Sequence, residues 1–207
     1  GVKIISSAPT DWKVNQPYQY QVEVWRPELA QEMKVELLHG PVGMAINNNY
    51  LITWTPELTQ LDTQYFAVKA SHGVAQDTQN VAVFINHPPM ISAAPPAMNV
   101  VNVGATWDFQ LEVSDPNIAD KITVTATELP DGMRIDPFTW RLRWDPTNEE
   151  LDFSHMRLEI TDSKETYFID ADFYVNAPIK IVSVPPMTGN VGEPYQYRIL
   201  NSDKNKG

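Results

Sequence analysis

The stretch Leu-Pro-Asp-Gly-Met-Arg-Ile, residues 129–135, is followed five residues later by Arg-Leu-Arg-Trp-Asp-Pro, residues 141–146. The same design occurs earlier as Gly-Pro-Val-Gly-Met-Ala-Ile at 40–46 and Leu-Ile-Thr-Trp-Thr-Pro at 51–56, and the two tryptophans are 90 positions apart. Each copy has a glycine where a turn favours positive φ, and then an alternating strand with one Trp. A proline ends the strand because it has no N–H for the ladder. This repetition predicts a duplicated domain.

Composition limits the fold class and the partners of the 207-residue chain. There is room for about two domains of ordinary size, each able to bury a core without covalent cross-links. The absence of cysteine excludes disulfides and thiolate metal sites. The net charge of −11 argues against nucleic acid as a partner, because such binding depends on neutralising phosphates. The sequence has no apolar run of about eighteen residues, so we expect no membrane span in this segment.

Short alternating strands separated by turn residues indicate an all-β protein. Seventeen prolines and the lack of a long segment with a 3.6-residue period favour this class. In Tyr-Gln-Tyr-Gln-Val-Glu-Val, residues 18–24, every second residue is apolar and would face a core. Seven such strands in under 90 residues are typical of an immunoglobulin-like (Ig-like) Greek-key sandwich.

The strand pattern begins three times, with a period near 90 residues. The third start comprises the strands at 181–185 and 191–199, and the last residue of the sequence is Gly207. We therefore divide the chain into repeat 1 (1–87), repeat 2 (88–177) and the first two strands of a truncated repeat 3 (178–207). A period of this length indicates an array of domains and not a solenoid of short units.

Three motifs together carry a resemblance to known repeats: Val-Gly-Glu-Pro-Tyr-Gln-Tyr (191–197), Leu-Pro-Asp-Gly-Met-Arg-Ile (129–135) and Leu-Arg-Trp-Asp-Pro (142–146). The combination resembles the bacterial tandem Ig-like repeats and the dystroglycan-type cadherin-like repeats, over essentially the whole chain. The resemblance implies seven-stranded sandwiches strung in tandem in large secreted or surface-anchored bacterial proteins. Domains of that group mostly serve adhesion or spacing, or accompany hydrolases, and some bind calcium.

The loop after the second strand of repeat 2 resembles the segment that binds calcium in those families. By that resemblance the candidate metal ligands are Asp115, Asn117 and Asp120, and Ca²⁺ is the cofactor they would hold. Asp and Asn oxygens at alternate loop positions can converge on a hard cation that needs six to eight oxygens. Repeat 1 has Arg26 and Gln31 in place of the two aspartates, so we expect no such site there. An ordinary Asp/Asn turn also accounts for these residues, since such side chains form turns on their own.

Six tryptophans raise the question of a carbohydrate site, because flat rings stack on sugar faces. Three occur at positions that are aromatic in the other copies, and we assign them to the core: Trp54, Trp107 and Trp144. The other three have no aromatic counterpart and are the candidate polysaccharide-binding residues: Trp12, Trp25 and Trp140. Single exposed aromatic side chains are common, so an ordinary surface also accounts for these three.

Catalytic groups show no recognisable spacing in this sequence. The four histidines occur in separate turns or strands, without metal-ligand spacing, and we predict no enzymatic activity. We expect a structural or adhesive module of a bacterial envelope, surface or secreted protein, in an extracytoplasmic compartment. It would act as a spacer or protein-interaction domain whose partners are other proteins or neighbouring repeats. The alternative is a carbohydrate-binding accessory module of a surface hydrolase.

Overall fold

The computed structural model describes residues 1–25 and 33–205. The chain forms two compact units. Unit 1 consists of Gly1–Pro88 with Asp115–Asp120, and unit 2 consists of Pro89–Ser114 with Lys121–Gly207. Among the described residues no helix is long and apolar enough to cross a bilayer. The predicted fold class, an all-β chain of tandem Ig-like sandwiches, is confirmed.

Unit 1 contains nine strands in its described part and one 3-10 turn, Leu58–Gln60. The strands are β1 (Lys3–Ile4), β2 (Asp11–Lys13), β3 (Tyr18–Gln21), β4 (Val24–Trp25), β5 (Lys34–His39), β6 (Ala45–Ile46), β7 (Leu51–Trp54), β8 (Asp62–His72) and β9 (Ala75–Asn86). One sheet has the order β2-β9-β8-β5 and a second has the order β3-β7-β6, while β1 pairs with β4. Strand β2 is parallel to β9, and the other pairs are antiparallel.

Unit 2 repeats this arrangement strand for strand. Its strands are β10 (Met90–Ala93), β11 (Met98–Asn102), β12 (Trp107–Gln110), β13 (Glu112–Ser114), β14 (Thr123–Glu128), β15 (Arg134–Ile135), β16 (Arg141–Trp144), β17 (Asp152–Thr161) and β18 (Thr166–Asn176). The sheets have the orders β11-β18-β17-β14 and β12-β16-β15, and β10 pairs with β13. Two further short strands, β19 (Lys180–Ile181) and β20 (Asn201–Ser202), pair with each other in the segment assigned to repeat 3.

The seven strands expected per repeat become nine because the first and second strands are each interrupted. The first strand of repeat 1 is divided into β1, which pairs with β4, and β2, which pairs with β9. Ser-Ala-Pro, residues 7–9, lies in the interruption, and Ala-Pro-Pro, residues 94–96, lies at the matching place in repeat 2. Proline cannot donate to a ladder, so each first strand leaves one partner there and takes another.

Aromatic side chains fill the middle of each sandwich. In unit 1, Tyr18 lies edge-on to both Trp54 and Phe66, with ring centroids 6.0 and 6.2 Å apart. The Tyr18 hydroxyl donates to the carbonyl of Pro9 over 2.8 Å, and burial, assisted by Tyr20, raises the pKa of Tyr18. Edge-to-face contacts of this kind stabilise a core beyond the area that they bury.

In unit 2 the corresponding cluster contains Trp107, Trp144 and Phe173. Phe173 lies edge-on to Trp107 at 4.9 Å and to Trp144 at 5.5 Å. Trp54 and Trp144 are buried, and Trp107 packs partly buried against its core. These contacts place all three tryptophans in the cores, as the repeat comparison predicts.

The glycine directly before Met in each quoted motif adopts the predicted positive φ, 88° at Gly43 and 79° at Gly132. A Cβ on Gly132 would approach the indole of Trp144 to 3.9 Å, and that indole N–H donates to the carbonyl of Asp131 over 2.9 Å. Glycine adopts this conformation without steric cost, so the turn can pass close to the edge of the Trp144 indole.

Candidate functional site

Two segments with the pattern Asp-x-Asn form the same local turn. In the first, the N–H of Asn117 donates to Oδ1 of Asp115 over 2.8 Å, and the N–H of Asp120 donates to the carbonyl of Asn117 over 2.9 Å. In the second, the N–H of Asn205 donates to Oδ1 of Asp203 over 3.0 Å. Each is an Asx turn, which a side-chain oxygen closes by binding a nearby backbone N–H. We refer to them as turn 1 (115–117) and turn 2 (203–205).

The side chain of Asn117 is buried in unit 1, with 0% of the residue exposed. Its Oδ1 accepts from the N–H of His87 over 2.7 Å. Its Nδ2 donates to the carbonyl of Ile85 over 2.9 Å and to Oδ1 of Asp62 over 2.9 Å. The segment 115–120 belongs to repeat 2 in sequence, yet it is part of unit 1. Turn 1 therefore binds the end of the last strand of repeat 1 and the start of the linker after it.

Turn 2 makes the same set of hydrogen bonds in unit 2. Oδ1 of Asn205 accepts from the N–H of Ala177 over 2.7 Å. Its Nδ2 donates to the carbonyl of Val175 over 2.8 Å and to Oδ1 of Asp152 over 3.1 Å. Each partner lies 90 positions after its counterpart in unit 1. In both units the end of the last strand is therefore bound by an asparagine from the repeat that follows in sequence.

The acceptor aspartates share an uncommon backbone conformation. Asp62 begins β8 with a φ of 64°, and Asp152 begins β17 with a φ of 73°. Positive φ is rare outside glycine, although Asp and Asn adopt it more readily than other residues. A sequence signal for this position did exist, namely Leu-Asp at both 61–62 and 151–152. The role of this aspartate, to accept a hydrogen bond from the asparagine of the turn, is evident only in the structure.

The structure brings two of the three candidate calcium ligands together and engages the third elsewhere. Asp115 and Asp120 each offer a carboxylate oxygen, and these oxygens lie within 4.8 Å of each other, a separation that a shared cation could bridge. Asn117 instead uses its Oδ1 to bind the N–H of His87. Arg26 and Gln31, which predict the lack of a site in repeat 1, lie outside the described residues. Calcium binding stays a prediction.

The candidate polysaccharide-binding tryptophans differ in how far they are exposed. Trp12 packs partly buried against the core of unit 1, edge-on to Tyr18 at 5.4 Å, and its indole donates to the carbonyl of Gln16 over 3.1 Å. Trp140 packs partly buried against the core of unit 2. Trp25, at the end of β4, is 53% exposed. Of the three, Trp25 offers the largest free ring surface, and sugar binding by any of them stays a prediction.

Trp140 does have an aromatic counterpart, so that part of the sequence comparison is wrong. Tyr50 stands 90 positions earlier, directly before β7, as Trp140 stands directly before β16. Both residues have positive φ, 64° and 58°, and both rings pack against the core of their own unit. The match was hidden because the two preceding turns have different sequences, Asn-Asn-Asn at 47–49 and Pro-Phe-Thr at 137–139.

A group of charged side chains on the outer face of β17 and β18 was not predicted. Nδ1 of His155 lies 2.7 Å from Oδ1 of Asp172, and Arg157 binds Asp170 through Nε at 2.7 Å and Nη2 at 3.0 Å. The hydrogen bond to Asp172 raises the pKa of His155, and the charge of Glu128 adds to it. The hydrogen bond from Arg157 lowers the pKa of Asp170. Residues facing each other across two strands form such pairs, which sequence spacing alone does not reveal.

Comparisons with known proteins place this chain among tandem Ig-like folds. It matches the N-terminal eight Ig domains of Down syndrome cell adhesion molecule with a TM-score of 0.58 at 12% identity, over 85% of this chain and 25% of that one. It matches the insect immune protein hemolin with a TM-score of 0.53 at 10% identity, over 82% of this chain and 45% of that one. The chain thus spans less than half the length of either structure. At such identities the likeness establishes the fold alone.

A weaker likeness is to an endo-fucoidan hydrolase of glycoside hydrolase family 107. The TM-score is 0.36 at 16% identity, over 83% of this chain and 28% of that one, too low to support an argument about activity. No protein-family model matches the chain, and no curated protein is significantly similar to it in sequence.

Proposed function

We propose that this chain is a structural segment of a tandem array in which each Ig-like sandwich is bound by an Asp-x-Asn turn of the next repeat. The observation that carries the proposal is the recurrence of the same three side-chain hydrogen bonds, made by Asn117 in unit 1 and by Asn205 in unit 2. We call this set of hydrogen bonds, between an Asp-x-Asn turn and the end of the last strand of the preceding repeat, the joint. Because the joint recurs with the repeats, it suits a chain whose role is to space or present domains. Neighbouring repeats are then its first partners.

The physical reason for such a joint lies in the end of the last strand. The N–H of His87 and the carbonyl of Ile85 lie at that end, where the ladder no longer supplies partners for every backbone group. A buried polar group left unsatisfied costs about 1–3 kcal/mol. The carboxamide of Asn117 satisfies both groups and also donates to Asp62.

The proposal also covers the kind of module that the chain forms and its cellular location. The chain acts as a non-catalytic spacer or protein-interaction module of an extracytoplasmic protein, and the resemblance to bacterial Ig-like and cadherin-like repeats supports an envelope, surface or secreted origin. Tandem Ig-like folds occur in the cell adhesion molecule named above, which supports an adhesive context without defining a partner.

Calorimetric unfolding of the full chain tests the joint. We expect Asn117→Ala to lower the stability of unit 1 by about 1–3 kcal/mol, because it leaves buried backbone groups unpaired. We expect Asn205→Ala to lower the stability of unit 2 by a smaller amount, because Asn205 and its hydrogen bonds are only partly buried. Asn148→Ala, at an exposed asparagine of unit 2, is the control and should unfold like the parent chain. Parent-like unfolding of both turn variants would refute the proposed joint.

A further inference from the structure

The outer face of the three-stranded sheet of unit 2 carries an unusual concentration of arginine. Three of the six arginines in the chain lie within ten residues of sequence: Arg134, Arg141 and Arg143. All three are exposed and line an open groove of about 690 Å³. The other residues that line it include Ile135, Pro137, Thr139 and Asp145.

The sandwich framework does not need these charges, because repeat 1 lacks them. The residues at the matching positions of β6 and β7 are Ala45, Leu51 and Thr53. Unit 1 forms the same three-stranded sheet with these uncharged residues. The arginines are therefore a property of repeat 2 and not of the fold.

Among the described residues, Arg141 has a carboxylate partner and the other two arginines have none. Arg141 binds Asp108 through Nη2 at 2.7 Å and through Nε at 3.1 Å. Arg134 and Arg143 lie directly opposite each other on β15 and β16. Within the described chain, neither makes a side-chain hydrogen bond or ion pair. Like charges in this position destabilise a strand pair. Asp108 on β12 faces Arg143 from the other side, but its carboxylate binds Arg141, so an external anion between Arg134 and Arg143 would remove the repulsion.

The acidic residues of the groove are engaged by other groups. Oδ1 of Asp136 accepts from the N–H of Phe138 over 2.9 Å and from the N–H of Thr139 over 2.7 Å. Oδ1 of Asp145 accepts from the hydroxyl of Thr106 over 2.5 Å. Asp136 thus closes its own turn and Asp145 binds Thr106, and neither carboxylate pairs with Arg134 or Arg143 among the described residues, which leaves these two arginines available to an external anion.

We infer that this groove binds an acidic polysaccharide through its carboxylate or sulfate groups, held between Arg134 and Arg143. A guanidinium presents paired donors that match the geometry of such anions. The groove volume lies within the range of about 300–1,000 Å³ typical of ligand sites. Phe138, which lies between the groove-lining residues Pro137 and Thr139, is 91% exposed and is therefore free to contact a sugar ring bound beside the groove.

A saccharide suits the groove better than a protein partner. A stable protein interface buries at least about 1,000 Å² around an apolar centre, whereas the apolar residues lining the groove are chiefly Ile135 and Pro137. The chain as a whole carries a charge of −11, so its net charge repels an acidic polymer and attraction depends on local contacts with these arginines. Binding should therefore weaken as salt is raised.

Titration calorimetry on the full chain tests this inference with matched pairs of probes. The charged probes are dextran sulfate and oligogalacturonate, and the neutral ones are dextran and the methyl-esterified oligogalacturonate. We expect the charged probes to bind and the neutral ones not to bind. The double substitution Arg134→Ala with Arg143→Thr installs the residues of repeat 1, so the sheet should still fold. It should weaken binding by roughly tenfold for each arginine removed.

Arg198→Gln, which removes an exposed arginine outside the groove, is the control for net charge and should bind like the parent chain. Circular dichroism checks that the double variant is folded. Equal binding of charged and neutral probes, or undiminished binding by the folded double variant, would overturn the inference. Polyglutamate that binds more tightly than the acidic saccharides would overturn it in favour of an acidic protein partner.

Discussion

Asn117 and Asn205 use an amide where neither an aspartate nor an alanine could serve. Each accepts from a backbone N–H and donates to a carbonyl and to a carboxylate. An aspartate has the same shape but would direct oxygen lone pairs at two acceptors, and burying its charge without a cation would be costly. An alanine would leave all three partners without the side chain that they bind. The surrounding donor and acceptors therefore require an amide at each of these two positions.

His155 predicts a pH-dependent term in the stability of unit 2. Its hydrogen bond to Asp172 raises its pKa, so the folded state holds the proton more tightly than the unfolded state does. The stabilisation is complete below the ordinary histidine pKa of about 6.5 and is lost as the pH rises through the higher folded value. The substitution His155→Tyr installs the residue that repeat 1 has at this position, Tyr65, and should remove the pH-dependent contribution to the stability of unit 2. Urea unfolding at a series of pH values measures it.

The parent chain should exceed the variant in stability by more at mildly acidic pH than at alkaline pH. The size of the difference is limited because the side chains of His155 and Asp172 are 37% and 51% exposed. A difference between parent and variant that stays constant with pH would mean that the hydrogen bond to Asp172 does not favour the charged ring.

At the residue scale, the sequence identified the right segment but not its partner. Asp115 and Asn117 stood out because their spacing fits both a calcium loop and an Asx turn. The turn formed, yet Asn117 is buried and not solvated. The deciding contacts, with His87, Ile85 and Asp62, lie 30 or more positions away in the chain. No local pattern contains that information.

At the scale of elements, the hairpin of the quoted motif was predictable because its determinants are local. Gly132 supplies positive φ, and Trp144 supplies the buried face of an alternating strand. The division of the first strand was not predicted, although Pro9 lies in the interruption. The strands with which β1 and β2 pair are decided when the sheets assemble. Local β-propensity does not determine this pairing.

The loop between β13 and β14 carries the calcium prediction. If Asp115 and Asp120 share a cation, millimolar calcium should raise the melting temperature of the full chain relative to chelator. Two carboxylates make a weak site, so the gain should be at most about 1–2 kcal/mol. Asp120→Asn should abolish the shift while the N–H of Asn117 keeps its bond to Asp115. Identical melting with calcium and with chelator would leave this loop as an Asx turn without metal.

At the scale of the whole chain, the two sandwiches were predictable because a period near 90 residues recurs in every strand. The sequence also suggested boundaries at 87–88 and 177–178, in the proline-containing linkers. The structure adds a feature that a linear division misses, since Asp115–Asp120 is part of unit 1. A structural unit therefore extends beyond its repeat and includes a turn of the next one.

Amide hydrogen exchange at His87 and Ala177 tests this shared joint most directly. Each of these N–H groups donates to the asparagine of one turn, so each amide reports on one joint. In the parent chain both amides should exchange slowly. Asn117→Ala should accelerate exchange at His87 and leave Ala177 protected, and Asn205→Ala should do the reverse. Unchanged protection of His87 in Asn117→Ala, or rapid exchange of both amides in the parent chain, would contradict the account.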